Sequence, residues 1–353
     1  MALTSVETNR RTSLKDTKPL AYEKIIKNKE KLERGESVAM IDFAYDYKCN
    51  LRCRHCIASK IEKKEKAMTI EDIRNMAVQA DEMGMSQFTI SGGEPLLFKD
   101  LDNVFNALMP EKFHLSLSTN GMFLDLSLAK HLKSIGLDKI KISVDDFSAE
   151  LHNKQRGNSE AYDKMINALM VSKEAELQVV MQHVVTHQNA KSQSIIDMCE
   201  FAKKHGFDIG VLLGRQLGEW DGNEEILIDE DDAQVLRKIH EKYPFFVRDV
   251  FSLYGKQQGC VAVKGTLHVT KYGDVLPCGF IQISMGNLFE ESLKDIVNRS
   301  FNIKYFKNFH PICLSGEDRD FINKYMKPFY GKPAPHSWKD VFTAEDFVDP
   351  NKM

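Results

Sequence analysis

The chain has 353 residues, 42% of them hydrophobic and 28% charged, with a formal net charge of −3. That length is enough for one full α/β core plus an appended domain. The balance gives no basic field for nucleic acid, and no apolar run is long enough to span a bilayer. The cysteine count is seven, an odd number, and there is no secretory leader, so a disulfide framework is not expected and a reducing cytoplasm is.

Residues 1–36 form a polar segment with helical character from Pro19 to Arg34. There Ala21, Tyr22, Ile25, Ile26 and Leu32 make one apolar stripe on an otherwise lysine- and arginine-rich helix. This is too short for a separate leader-peptide recognition domain. From residue 37 to about 250, strands and helices alternate. Val38 to Tyr45 predicts an apolar strand that delivers a cysteine-rich loop at its end. A helix starts at Met68-Thr69, carries Ile70, Ile73, Met76, Ala77, Ala80 and Met83 at helical spacing, and stops at Gly84. Further strands are expected at Gln87–Ser91, Phe113–Ser118, Lys139–Val144, Gln178–Val185 and Ile209–Leu213, separated by helices around Leu126–Ile135, Tyr162–Glu174 and Ser194–His205. Alternating strands and helices predict a parallel sheet with right-handed crossovers. In such folds ligands gather at the carboxyl ends of the strands. The cysteine loop, Gly92-Gly93, Thr119-Asn120 and Asp145 all fall there.

After the sixth strand, Arg215 and Trp220 lie near the expected mouth, either touching substrate or packing locally as a linker. Residues 251–320 carry a hairpin pattern: Thr266 to Thr270, a turn through Gly273, then Val275 to Cys278, followed by a short helix through Leu293 and Ile296. Cys260, Cys278 and Cys313 bracket it. Taken alone, these three would be buried free thiols. Residues 321–353, with Pro328, Pro333 and Pro335, read as an irregular tail wrapped over the body.

The run Cys49-Asn50-Leu51-Arg52-Cys53-Arg54-His55-Cys56 has the pattern C-x3-C-x2-C. Three thiolates this close can hold a cubane iron–sulfur cluster and leave its fourth iron open to a small molecule. Spacing alone leaves a zinc site open as well, with His55 as a fourth ligand. Thr89-Ile90-Ser91-Gly92-Gly93-Glu94-Pro95 follows about one βαβ unit later, a strand opening into a turn whose glycines let backbone approach a ligand closely.

Together the two motifs resemble the radical S-adenosylmethionine (radical SAM) enzymes. The resemblance implies a six-unit partial (β/α) barrel, TIM-like, with a small C-terminal β-hairpin and helix extension. It implies a [4Fe-4S] cluster on Cys49, Cys53 and Cys56 that binds S-adenosylmethionine. Gly92, Gly93 and Glu94 would meet the methionyl amino group. Ser118 and Asn120 would approach ribose or the methionyl carboxylate, Ser143 and Asp145 the ribose, and Arg156 the methionyl carboxylate by its fork of donors. His55 would support the cofactor through its backbone. Thr119-Asn120-Gly121 also fits an ordinary turn, and Asp145-Asp146 a cap. The order Cys260, Gly273, Cys278, Gly286-Asn287-Leu288 resembles the SPASM/Twitch extension, which holds an auxiliary iron–sulfur cluster. With only Cys313 following, the shorter Twitch type matches better, and the fourth auxiliary ligand stays open. Cys199 reads as plain core.

The implied activity is reductive cleavage of S-adenosylmethionine to a 5′-deoxyadenosyl radical that takes hydrogen from a substrate C–H bond. The auxiliary cluster would then transfer electrons or bind substrate. The expected substrate is a small metabolite such as a sugar, cyclitol or cofactor precursor. A ribosomal peptide undergoing cross-linking, thioether formation or epimerisation is the alternative, and a non-catalytic zinc or electron-transfer protein a remote one. A flavodoxin- or ferredoxin-type electron donor is the expected partner, with no nucleic acid and no membrane.

Overall fold

Period-two alternation builds the sheet. In β5 (Gln178–Val185), Val179, Met181, His183 and Val185 are buried, whereas Gln178, Val180, Gln182 and Val184 are half-buried. The buried row packs under helices and the other row faces the inside of a curved sheet. The same division holds in β1 (Met40–Asp46), where Ile41 and Phe43 are buried and Asp42 is not. In β4 (Leu137–Ser143), Ile140 and Ile142 are buried while Lys141 and Ser143 are not. The structure, a computed structural model, describes residues 13–248, 259–349 and 351.

With β2 (Gln87–Gly92), β3 (His114–Thr119) and β6 (Asp208–Leu213), these strands lie side by side, parallel, in chain order. Helices Ile70–Glu82, Leu101–Ala107, Leu126–Ser134, Ala161–Glu174 and Gln193–His205 fill the crossovers. The result is the expected α/β partial barrel. Four elements of this layer were not read from the sequence: the short helices Leu101–Ala107 and Ala149–Arg156, helix Glu230–Lys242, and the seventh parallel strand that follows it, β7 (Phe246–Arg248).

The C-terminal extension joins the same sheet. β8 (Thr266–Val269) pairs in parallel with β1, with Asp42 opposite His268. β9 (Asp274–Leu276) returns antiparallel to β8, β10 (Ile283–Ser284) follows, and β11 (Gly286–Asn287) pairs with β9. The sheet therefore reads β11-β9-β8-β1-β2-β3-β4-β5-β6-β7. In the tail, β12 (His336–Ser337) pairs with β10. The tail is more regular than its prolines suggested. Arg319–Phe321 runs on through Ile322–Met326 as one helical stretch, and Phe321, Tyr325 and Phe342 pack with ring centroids 5.1–5.2 Å apart. The division expected at residue 250 lies outside the described residues, as do residues 1–12, 350, 352 and 353.

Helix Pro19–Glu33 covers the end of the barrel away from the cysteine loop. Asn28 Nδ2 donates to Ser86 Oγ at 3.0 Å, and Lys18 Nζ donates to Gly136 O at 2.8 Å and to Asp138 Oδ2 at 2.5 Å. Those partners sit at the amino ends of β2 and β4. Among the described residues no helix is long and apolar enough to cross a membrane. Phe88 is fully buried, edge-on to Phe113 with centroids 4.8 Å apart. Phe88→Ala is expected to cost about 3–5 kcal/mol of unfolding free energy, read from urea denaturation. A cost below about 1 kcal/mol would mean that this layer is not tightly packed.

Candidate active site

The loop after β1 is held by main-chain contacts on two flanks. On one, Gly93 N donates to Asp46 O at 2.6 Å and Glu94 N to Lys48 O at 2.9 Å. Gly92 has φ +115°, and a Cβ there would lie 2.2 Å from Asp46 O; one at Gly93 would lie 2.1 Å from Lys48 O. Only glycine permits this approach. On the other flank, Glu219 N donates to Arg54 O at 2.8 Å, and a Cβ at Gly218 would lie 2.7 Å from Cys56 O. The cysteine loop is thus clamped between the β2 turn and the turn after β6.

Cys49, Cys53 and Cys56 are free and half-buried on this loop. Polar donors face their sulfurs. Leu51 N donates to Cys49 Sγ at 3.4 Å, Arg156 Nη1 donates to Cys53 Sγ at 3.4 Å, and Asn120 Nδ2 lies 3.9 Å from Cys49 Sγ. Burial pushes the Cys49 thiol up and the Cys53 thiol up to about 11, and the neighbouring thiols add to both shifts. Neutral thiols are therefore favoured unless a metal takes the sulfurs. The donor set fits a thiolate-bound cluster, whose sulfurs accept such hydrogen bonds.

The other sequence-predicted residues divide into two groups. Glu94 and Asn120 gather beneath the loop. Glu94 is buried and accepts from Thr119 Oγ1 at 2.7 Å, Asn120 N at 2.8 Å and Leu96 N at 3.1 Å. Its carboxylate thus props the Thr119-Asn120 turn, and Asn120 Nδ2 in turn donates to Asn50 Oδ1 at 2.9 Å. His55, Ser143, Asp145 and Arg156 line one cavity of about 510 Å³. Ser118 is half-buried in β3, opposite Lys141 in the register.

Arg156 pairs within the protein with Asp145. Its Nη2 donates to Asp145 Oδ1 at 2.8 Å, and Nε lies 2.6 Å from Asp145 Oδ2. Burial works against ionisation of Asp145, yet the Arg156 charge and hydrogen bond, with His55 and His152, together hold that carboxyl below its usual range. His55 Nδ1 accepts from Gln155 Nε2 at 3.1 Å, and its ring lies 5.4 Å from the Trp220 ring. Burial lowers its pKa.

The second triad sits across the cavity. Cys260, Cys278 and Cys313 are all buried. Cys260 N donates to His310 O at 2.7 Å and Cys313 N to Glu317 Oε2 at 2.8 Å. A hydrogen bond from the Cys260 thiol holds Cys313 well below the usual thiol range and pushes Cys260 well above it; burial pushes Cys278 up to about 12. Three converging sulfurs with buried donors fit a second cluster. The seventh cysteine, Cys199, is buried in helix Gln193–His205 and belongs to neither group. Two residues tie this triad to the cavity: Arg215, which the sequence already placed near the mouth, and Phe280, which sequence reasoning missed. Arg215 Nη2 donates to Cys313 Sγ at 3.4 Å, and Phe280 stands two residues after Cys278; both line the cavity. A signal existed for Arg215, its place just past the end of β6.

Comparison with known proteins agrees with this geometry. A family model described as the radical SAM superfamily matches residues 47–202, and one described as an iron-sulfur cluster-binding domain matches residues 260–316. The chain is 24% identical over 289 residues to an AdoMet-dependent heme synthase of Oleidesulfovibrio alaskensis, covering 74% of each chain. It is 30% identical over 225 residues to a GTP 3′,8-cyclase of Nautilia profundicola, covering 61% of this chain and 67% of that one. Its fold matches Streptococcus suis SuiB bound to S-adenosylmethionine with TM-score 0.60 at 20% identity, over 80% of this chain and 73% of that one. The chain therefore belongs to the radical SAM superfamily, as an enzyme with a [4Fe-4S] cluster, S-adenosylmethionine and an auxiliary iron–sulfur cluster in a SPASM-type extension.

Proposed function

We propose that Cys49, Cys53 and Cys56 hold the catalytic cluster, that Cys260, Cys278 and Cys313 hold the auxiliary one, and that a small polar metabolite reacts between them. When bound, the first cluster and S-adenosylmethionine supply a 5′-deoxyadenosyl radical able to take hydrogen from a C–H bond. Gly92 and Gly93 keep the cysteine loop close to the β2 turn, Glu94 fixes the turn that carries Asn120, and Ser118, Ser143, His55 and Asp145 shape the cofactor side. Arg156, committed to Asp145 and Cys53, stiffens the cluster side rather than gripping the methionyl carboxylate.

The cavity carries the substrate reading. It brings a few convergent polar groups together among apolar side chains, the make-up of a small-ligand site. Ser143, Gln182, Asp145 and the two arginines set polar groups into mainly apolar walls that include Leu212, Leu213, Trp220 and Phe280. A hydroxylated or otherwise polar molecule suits such walls better than a large apolar macrocycle. Lys48, Arg52 and Arg54 are exposed around the cysteine loop. That surface suits an acidic flavodoxin- or ferredoxin-type electron donor.

The deciding experiment adds fractionated cell extract to the anaerobically reconstituted enzyme with dithionite and S-adenosylmethionine. The extract is divided by a dialysis membrane, and 5′-deoxyadenosine is measured. Stimulation by the dialysable fraction is expected; stimulation only by retained, protease-sensitive material would replace the metabolite with a peptide.

Two variant sets test the ligands. Replacing Cys49, Cys53 and Cys56 by alanine is expected to abolish 5′-deoxyadenosine. Replacing Cys260, Cys278 and Cys313 is expected to remove about four irons per chain and leave some uncoupled cleavage. An unchanged iron inventory in the second set would rule out those ligands. Gly93→Ala drives a methyl into Lys48 O, so it is expected to displace the loop and cut iron at the first centre by half or more, with loss of S-adenosylmethionine retention in equilibrium dialysis. Full iron and full retention would show that the clamp is dispensable.

A further inference from the structure

Arg215 joins the auxiliary triad to the cavity by a charge-assisted contact. It leaves the sheet two residues after β6 and is 4% exposed. Nη2 donates to Cys313 Sγ at 3.4 Å, Nε to Ser315 Oγ at 3.3 Å and Nη1 to Leu213 O at 2.5 Å. The guanidinium lies 3.7 Å over the Phe280 ring. Three acceptors, one for each guanidinium nitrogen, and an aromatic face beneath match a planar fork, and a lysine would reproduce only the charge.

We infer that Arg215 is a positioning residue that sets the reduction potential of the auxiliary centre, making that centre a better electron acceptor toward the cavity. This rests on the assignment of Cys260, Cys278 and Cys313 as its ligands. Thiolates bound to a cluster put negative charge into a buried site, and reduction adds one more. A permanent positive charge hydrogen-bonded to a ligand sulfur favours the reduced form, and does so more strongly away from water. The neighbouring Arg248 is placed differently. It forms an ion pair with Glu317, whose Oε2 accepts from Cys313 N, so its charge near the centre is offset by a carboxylate.

The test uses the full chain loaded with iron and sulfide. Arg215→Met and Arg215→Lys are titrated with a redox mediator set and followed by electron paramagnetic resonance. Adding S-adenosylmethionine perturbs the first centre's signal and so separates the two. At the poise that half-reduces the wild-type auxiliary centre, the Met variant is expected to show a reduced-to-oxidised ratio about tenfold lower, about 59 mV for a one-electron couple. The Lys variant, retaining charge without the fork, is expected to fall between. A Met variant that keeps its iron with a ratio within about twofold of wild type overturns the inference. So does a Lys variant as low as the Met variant, because charge would then play no part. If the Met variant loses auxiliary iron, the Lys variant decides: iron retained with a lowered ratio supports the tuning role, and iron lost in both assigns Arg215 to building the site. The cysteine-to-alanine iron inventory stands apart from these readings, so failure of the ligand assignment is recognised on its own.

Discussion

The cysteine loop has no secondary structure of its own to hold it, so its shape depends on backbone-to-backbone contact with two neighbouring turns. Gly93 N to Asp46 O, Glu94 N to Lys48 O and Glu219 N to Arg54 O fix both flanks, and glycine at positions 92, 93 and 218 lets the chains meet. Main-chain contacts of this kind place sulfurs without spending side chains, leaving Arg156 and Asn120 free to face them. Side-chain packing alone would hold such a loop less firmly, since each rotamer fixed carries an entropic cost. The glycines of the β2 turn thus serve the metal site structurally, whatever they also contribute to cofactor recognition.

Each triad also meets a buried guanidinium, Arg156 at Cys53 and Arg215 at Cys313. Burying an arginine is costly unless its charge and donors are matched. Arg156 is matched by Asp145 in a two-point pair, which leaves both side chains rigid at the cavity wall. Arg215 is seated on sulfur, a hydroxyl, a carbonyl and a ring. The two sites therefore place a positive group next to sulfur by different means, and both groups open onto the same space.

Much of the barrel was legible because period-two and helical periodicities are local signals. The six strands, their parallel order and the gathering of chemistry at their carboxyl ends all follow from pattern and spacing. What stayed hidden is non-local. The three-residue β7 is too short to show alternation. The parallel pairing of β8 with β1 joins residues more than two hundred positions apart, and nothing in either strand names the other. The aromatic packing of Phe321, Tyr325 and Phe342 turned a proline-rich tail into a set of helical turns. At the site, the motif residues were visible as types, but Glu94 and Arg156 found protein partners that only the fold brings within reach.

The β1–β8 pairing has a consequence for how the two centres work together. β1 runs directly into Cys49, and β8 lies between Cys260 and Cys278. One ladder of hydrogen bonds therefore carries both triads, reinforced by the contacts of His268 with Asp42 and of Lys271 with Asp46 across the same seam. A linker between separate domains would allow relative motion, whereas strands within one sheet shift register only by breaking several hydrogen bonds together. The sheet thus fixes how the Cys49 loop stands relative to the hairpin that carries Cys278. The Leu213–Trp220 turn and Phe280 lie outside this ladder, and both contribute to the cavity lining.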